Sequence, residues 1–204
     1  MEFCDFGEPA YAAFYCEENV WHLSQDARLG DRQRWVAFIS NPSRSCALWS
    51  QRASASPELP VIWDYHVVLL AESSRGSGVE VWDLDSLAGM PLALDLYLKA
   101  TFLIGHEIPE SFRPWFRVVE AEDFARTFSS DRTHMQEGGR WIHPPPPWPL
   151  IQVPGTRMNL DLFVDMGAKL VGEVLTLAQL CRKFDCDFGP DSDFGPDCDL
   201  GSAS

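Results

Sequence analysis

Ten consecutive residues, Val61-Ile62-Trp63-Asp64-Tyr65-His66-Val67-Val68-Leu69-Leu70, constrain this chain more than any other stretch. The run is apolar at odd and even positions alike, the pattern of a strand covered on both faces and so internal to a sheet. Asp64 and His66 interrupt it two residues apart, on one face of a regular strand, with Trp63 and Tyr65 on the other. A loop from Glu72 to Gly78 leads to Val79-Glu80-Val81-Trp82-Asp83-Leu84-Asp85, a second strand with Asp83 and Asp85 at alternate positions. If the turn centres between Ser74 and Gly76, facing residues sum to about 149–151. His66 then stands opposite Asp83 or, one pair further along, Asp85. A buried imidazole beside a carboxylate is the orienting half of a catalytic triad.

A nucleophile for such a triad is offered near the N-terminus by Tyr15-Cys16-Glu17-Glu18-Asn19-Val20-Trp21-His22-Leu23. Cys16 precedes two acids and an apolar helical run, and Glu17 and Glu18 in a first turn suit the positive end of a helix dipole. The same field favours thiolate over thiol at Cys16. Singly, these residues have plainer readings: a small buried hydrophobe for Cys16, a hydrogen-bonded core residue for His66, a strand cap for Asp83. Together they make a Cys-His-Asp arrangement in which His66 takes the thiol proton and Asp83 orients the ring. Cysteine opening a helix, with histidine and aspartate following on strands, is the chain order of transglutaminase-like and papain-like amidases. The fold class expected is α+β, an antiparallel sheet with the nucleophile-bearing helix packed on it.

Several strings make the sequence recognisable. Tyr-Cys-Glu-Glu-Asn-Val-Trp at 15–21, Val-Ile-Trp-Asp-Tyr-His-Val-Val-Leu-Leu at 61–70 and Asp-Leu-Asp at 83–85 resemble the protein N-terminal glutamine amidohydrolase family. So do Ser-Asp-Arg-Thr-His-Met at 130–135, Pro-Pro-Pro-Pro-Trp-Pro at 144–149 and Met-Asn-Leu at 158–160. The resemblance implies a triad of Cys16, His66 and Asp83, the first aspartate of Asp-Leu-Asp, which chooses between the two hairpin registers. It implies hydrolysis of the side-chain amide of N-terminal glutamine, with proteins and peptides as substrates and neither cofactor nor metal. It also implies a place in N-degron processing, where the product residue can be arginylated and recognised for degradation.

Composition fits that expectation. No apolar run approaches the roughly 20 residues of a membrane span, and the acidic start Met1-Glu2-Phe3-Cys4-Asp5 lacks the plan of a secretory signal. Six irregularly spaced cysteines, with no Cys-x-x-Cys or His-x-x-x-His pair, point to neither a disulfide framework nor zinc, and to a reducing compartment. Cytoplasm, with the nucleus open by diffusion, is the expected location. The net charge is −14, and the six aspartates from Asp185 onward carry enough of it to leave −8 on the body. That balance disfavours nucleic acid as a partner and favours substrates with a positive amino terminus. Residues 187–192 and 193–198 are tandem hexapeptides, Asp-Phe-Gly-Pro-Asp-Ser and Asp-Phe-Gly-Pro-Asp-Cys, whose Gly-Pro steps and like charges oppose helix and strand. A single domain over 1–184 and a disordered tail over 185–204 are expected. The absence of a heptad pattern makes a monomer the default.

The remaining elements read as helices at 16–27, 91–103 and 121–128 and strands at 34–40 and 116–120, with a capping box at Thr176 and Gln179 opening a last helix. Pro42 to Pro60 and Gly138 to Gly155 read as loops, the second stiffened by the four prolines at 144–147. An α-amino group needs an acid one glutamine length from Cys16. Glu17, Glu18, Asp64 and Asp85 are available; Glu17 and Glu18 are accounted for by the helix dipole, which leaves Asp64 and Asp85 as the substrate-binding candidates, with Asp64 preferred because it shares a strand face with His66. Trp63 and Tyr65, on the opposite face, read as packing. His134 reads as a structural or supporting residue, and His22, His106 and His143 belong to no constellation. A transglutaminase-type acyl transfer and a non-catalytic binder of protein N-termini are the rival readings.

Overall fold

In a computed structural model, residues 9–56, 58–74, 76–102 and 108–186 are described. The hexapeptide repeats of the tail and His106 lie outside them. Among the described residues there are ten short or medium strands and five α-helices. Strands β1 (Arg34–Ser40), β2 (Cys46–Leu48), β3 (Val61–Trp63), β4 (His66–Glu72), β5 (Val79–Trp82) and β6 (Leu92–Ala93) occupy the first half. Strands β7 (Trp115–Glu120), β8 (Gln136–Glu137), β9 (Arg140–Trp141) and β10 (Glu173–Thr176) follow. The helices are α1 (Cys16–Ser24), α2 (Leu94–Thr101), α3 (Ala121–Thr127), α4 (Leu160–Val164) and α5 (Leu177–Lys183).

Six strands form one sheet in the order β10-β7-β1-β4-β5-β6, and every pairing in it is antiparallel. The two-residue period of these strands explains why β4 is apolar throughout. Val67, Leu69 and Ala71 face a core shared with Val20 and Leu23 of α1, Phe124 of α3 and Phe163 of α4. Val68 and Leu70 face the opposite core, with Tyr97 and Leu98 of α2 and Leu180 of α5. A strand with helices on both sides needs no polar face. The capping box that opens α5 is present in full, with Thr176 accepting from the Gln179 backbone and Gln179 returning the bond.

The run 61–70 is two strands, not one. β3 pairs with β2 in a separate two-stranded sheet, β4 pairs with β1 and β5, and the chain bends at Asp64 and Tyr65 between them. Asp64 stabilises the bend. Its Oδ1 accepts from the Tyr65 backbone N–H at 3.0 Å, while its carbonyl accepts from the Ser40 hydroxyl at 2.6 Å. β2 also lies inside the stretch 42–60 that reads as loop, and β9 inside 138–155.

Candidate active site

α1 begins at Cys16 because the chain before it is turned sharply. Phe14 has φ +68°, a left-handed conformation unusual for a bulky side chain. The turn is secured by Asn19, whose side chain accepts from the Ala12 N–H and donates to the Ala12 carbonyl at 2.8 and 2.9 Å. The displaced Phe14 ring stacks on His143, with ring centres 3.7 Å apart. α1 packs against β4, and the Val67 N–H at the start of that strand favours the ionised form of Cys16.

His66 is the first residue of β4. Its Nε2 stands 2.9 Å from Asp83 Oδ1, and each side chain is 1% exposed. The ladder between β4 and β5 pairs Leu69 with Trp82 and Leu70 with Val81, the register that would carry His66 opposite Asp85. β5 stops at Trp82, however, and the chain turns, so Asp83 meets the imidazole. Three more groups donate to Asp83: the Asp85 N–H at 2.9 Å, the Tyr97 hydroxyl at 3.0 Å and Gln51 Nε2 at 3.2 Å. Burial favours neutral forms of both partners, but the mutual attraction outweighs it. His66 holds its proton above the usual imidazole range, and Asp83 stays ionised below the usual carboxylate range. The Trp63 ring lies nearly parallel to His66, 5.8 Å away between centres.

Cys16 and His66 line one cavity of about 360 Å³ together with Asp85, Trp63, Asp64 and Tyr65. His134 and His143 contribute to its wall, as do Ile142 and Leu160. The bend at Asp64 therefore brings Trp63 and Tyr65 to the cavity, against the packing role expected from a regular strand. Asp64 is exposed and Asp85 buried. The expected thiolate at Cys16 is also corrected. Burial pushes the thiol well up, and the negative charges of Glu17 and Asp85 push it further, while the Val67 N–H opposes them only in part. The half-charge of a helix end loses to desolvation and two carboxylates.

The acids of the first turn do more than meet the helix dipole. Glu17 and Glu18 are fully buried. Glu17 Oε2 accepts from the Tyr65 hydroxyl at 3.0 Å, and its Oε1 lies 3.4 Å from His134 Nε2. Glu18 is held by both arms of the Arg132 guanidinium and by Trp148 Nε1 at 2.7 Å. Arg132 also donates to the carbonyls of Pro146 and Trp148. That chemistry was absent from the sequence reading of 130–135 and of the proline run. The signal was there: an arginine and a set of prolines lacking amide hydrogens, matched by an acid beside the nucleophile.

Among the described residues, His66, Asp83 and Asp85 bring one ring nitrogen and two carboxylate oxygens within 4.8 Å of one another, a spacing a metal ion could use. Asp83 has its oxygens committed to four donors, so the group reads first as a hydrogen-bonded acid–base pair with an extra acid beside it.

The sequence matches the profile of the family described as N-terminal glutamine amidase over residues 11–184. Among curated proteins, the protein N-terminal glutamine amidohydrolase of Homo sapiens is 38% identical over 180 residues, covering 85% of this chain and 87% of that protein. The proteins of the same name from Bos taurus and Danio rerio are 37% and 36% identical, with 85% of this chain and 86% and 88% of theirs covered.

Proposed function

The chain belongs to the N-terminal glutamine amidase family, and from that membership we propose that it hydrolyses the side-chain amide of an N-terminal glutamine, leaving N-terminal glutamate and ammonia. Its substrates are proteins and peptides that begin with glutamine. The observation that carries the mechanism is the sealed His66–Asp83 pair opening onto the cavity that Cys16 lines.

Asp83 accepts from Nε2, which leaves Nδ1 of His66 to exchange a proton with the nucleophile. Because the resting thiol is neutral, the reaction runs through the fraction of molecules in which His66 is free imidazole, and that imidazole takes the thiol proton as the sulfur attacks the carboxamide carbon. The tetrahedral oxyanion is met by backbone N–H groups at the start of α1. Collapse breaks the C–N bond, and the imidazolium returns the proton to the departing nitrogen, which leaves as ammonia. His66 then takes a proton from water as the oxygen attacks the thioester. The acid forms and Cys16 regains its thiol. Asp83 keeps the ring oriented throughout and stabilises its charged form.

The helix-borne cysteine packed on an antiparallel sheet is the core arrangement of papain-like and transglutaminase-like amidases, and we read this core as one of them. Asp64 and Asp85 supply the acidic part of the cavity wall, suited to a substrate with a free amino group. We read the reaction as a step of N-degron processing, since it yields a terminal residue that can be arginylated, carried out by a monomer in the cytoplasm and, by diffusion, the nucleus.

Ammonia release from four peptides of like composition tests the reading. One begins with free Gln, one with acetylated Gln and one with Asn, and one carries Gln only internally. Release confined to the first is the expected result. Release from the blocked or internal peptide would mean a general glutaminyl acyl-transfer enzyme. No release from any, with Cys16 still open to alkylation, would mean a binding module.

A further inference from the structure

The two aspartates that flank Leu84 are partnered very differently. Asp83 accepts four hydrogen bonds and faces the imidazole. Asp85 is also buried, at 9% exposure, yet its carboxylate lies in the wall of the cavity beside Cys16 and His66. Among the described residues its only side-chain hydrogen bond comes from the Tyr11 hydroxyl, at 2.6 Å on Oδ1, and it makes no ion pair. The Arg52 guanidinium sits over the Tyr11 ring, 5.7 Å from its centre. A buried carboxylate with one neutral donor and an oxygen to spare is matched by a cation.

The substrate brings one such cation, the α-ammonium of its first residue. A glutamine places that nitrogen about 4–5 Å from its carboxamide carbon, a few bond lengths away. Asp85 is at that scale from the reacting groups, since its carboxylate lies within 4.8 Å of a His66 ring nitrogen. The other acids are less suited. Asp64 is exposed and spends Oδ1 on the Tyr65 N–H. Glu17 accepts from the Tyr65 hydroxyl and stands against His134, two residues that themselves form the cavity wall.

We propose that Asp85, held in place by the Tyr11 hydroxyl, is the anchor for the α-ammonium group and so the residue that restricts the reaction to free N-termini. The assignment rests on the amidohydrolase reading above. Tyr11 is a positioning residue: its hydroxyl fixes Oδ1 and, among the described residues, leaves Oδ2 free to accept from the substrate.

Two peptides that differ only in the first residue test this. One begins with glutamine and the other with 4-carbamoylbutanoyl, which is glutamine without its α-amino group. The measured quantity is the ratio of kcat/KM between them. For the wild-type protein a ratio of about 10- to 100-fold in favour of glutamine is expected from one charge-assisted contact. In Asp85→Asn the ratio falls below about threefold, because the free-amine peptide loses its advantage. Tyr11→Phe keeps the ring and removes one hydroxyl, and its ratio falls by about two- to fivefold, mainly through KM. That variant decides the matter if Asp85→Asn does not fold. A ratio unchanged from wild type in the folded variants overturns the proposal and makes Asp85 a group that acts on His66. Equal turnover of both peptides by the wild-type protein overturns it too, while leaving amide hydrolysis intact. Turnover of neither peptide by the wild-type protein defeats the underlying reading and the anchor with it.

Discussion

Glu18 takes both ends of the Arg132 guanidinium, Nε on Oε1 at 2.8 Å and Nη2 on Oε2 at 2.7 Å, across 114 positions of sequence. This pair joins the helix that carries Cys16 to the turn at 130–135, and through the Pro146 and Trp148 carbonyls to the proline run. Four prolines lack amide hydrogens, but their carbonyls accept as well as any, and a stiff loop holds them at a fixed distance. Arg132→Leu would leave the Glu18 carboxylate buried with no cation. A loss of about 3–5 kcal/mol is expected for breaking a buried pair in this way, measured by urea unfolding. A loss under about 1 kcal/mol would mean that the proline loop, not the ion pair, holds the N-terminal helix in place.

Much of this was legible in the sequence, and what was not has local causes. The pattern over 34–40 predicts β1 at its observed bounds because seven residues of mostly apolar, β-favouring character leave no competing pattern. The capping box at Thr176 was legible since it is a contact between neighbours. The break at Asp64 was hidden because a strand that changes sheet keeps its apolar composition on both sides of the bend. The ladder runs in the register that would pair His66 with Asp85, and only the end of β5 at Trp82 hands the bond to Asp83. Strand ends are set by turns, which carry weak signals. The burial of Glu17 and Glu18 was invisible for a different reason: their partners, Tyr65 and Arg132, are distant in the chain.

Asp83→Asn should be far more damaging than its size suggests. The amide would present a donor as readily as an acceptor to Nε2, and the ring would lose both its orientation and the charge that supports its protonated form. A drop in kcat of about 10³–10⁴-fold is expected, with KM for the free-Gln peptide little changed. Cys16→Ala should release no ammonia at all while still binding that peptide. Were Asp85→Asn to lower kcat more than Asp83→Asn, the orienting acid would be Asp85 and the bond to Asp83 incidental.

Gly172 precedes β10 with φ +84°. A Cβ there would stand 2.7 Å from Val119 Cγ2 and still closer to the Val118 carbonyl, both on β7. The position thus needs glycine for conformation and for space, and backbone on the far side cannot give way cheaply. Gly172→Ala should destabilise the protein by more than about 2 kcal/mol, read from urea denaturation. Wild-type stability would show that β10 shifts along the edge of the sheet at little cost.

The titration of the buried pair fixes how stability depends on pH. Folded His66 holds its proton more firmly than the unfolded chain does, through Asp83 and against the cost of burial. Its contribution is therefore complete below about 6.5, the unfolded value, and is lost as pH rises through the higher folded value. Asp83 behaves in the opposite sense. Its folded carboxylate is held ionised below the ordinary range, against burial and mainly by His66, so its contribution is complete above about 3.9 and lost as pH falls through the depressed folded value. The stability difference between wild type and Asp83→Asn should accordingly form a plateau between about pH 4 and 6.5 and decline on both sides. At alkaline pH a third group enters. The raised Cys16 thiol, held neutral first by burial and then by Glu17 and Asp85, lets the unfolded chain ionise earlier. Wild type should therefore lose stability relative to Cys16→Ala as pH rises above about 8.5. Unfolding free energies of the three proteins across pH 3–10 check all of these slopes (the range spans the unfolded values on either side). A difference independent of pH would mean that His66 and Asp83 meet as neutral groups, with no carboxylate charge to support the imidazolium that forms when His66 takes the thiol proton.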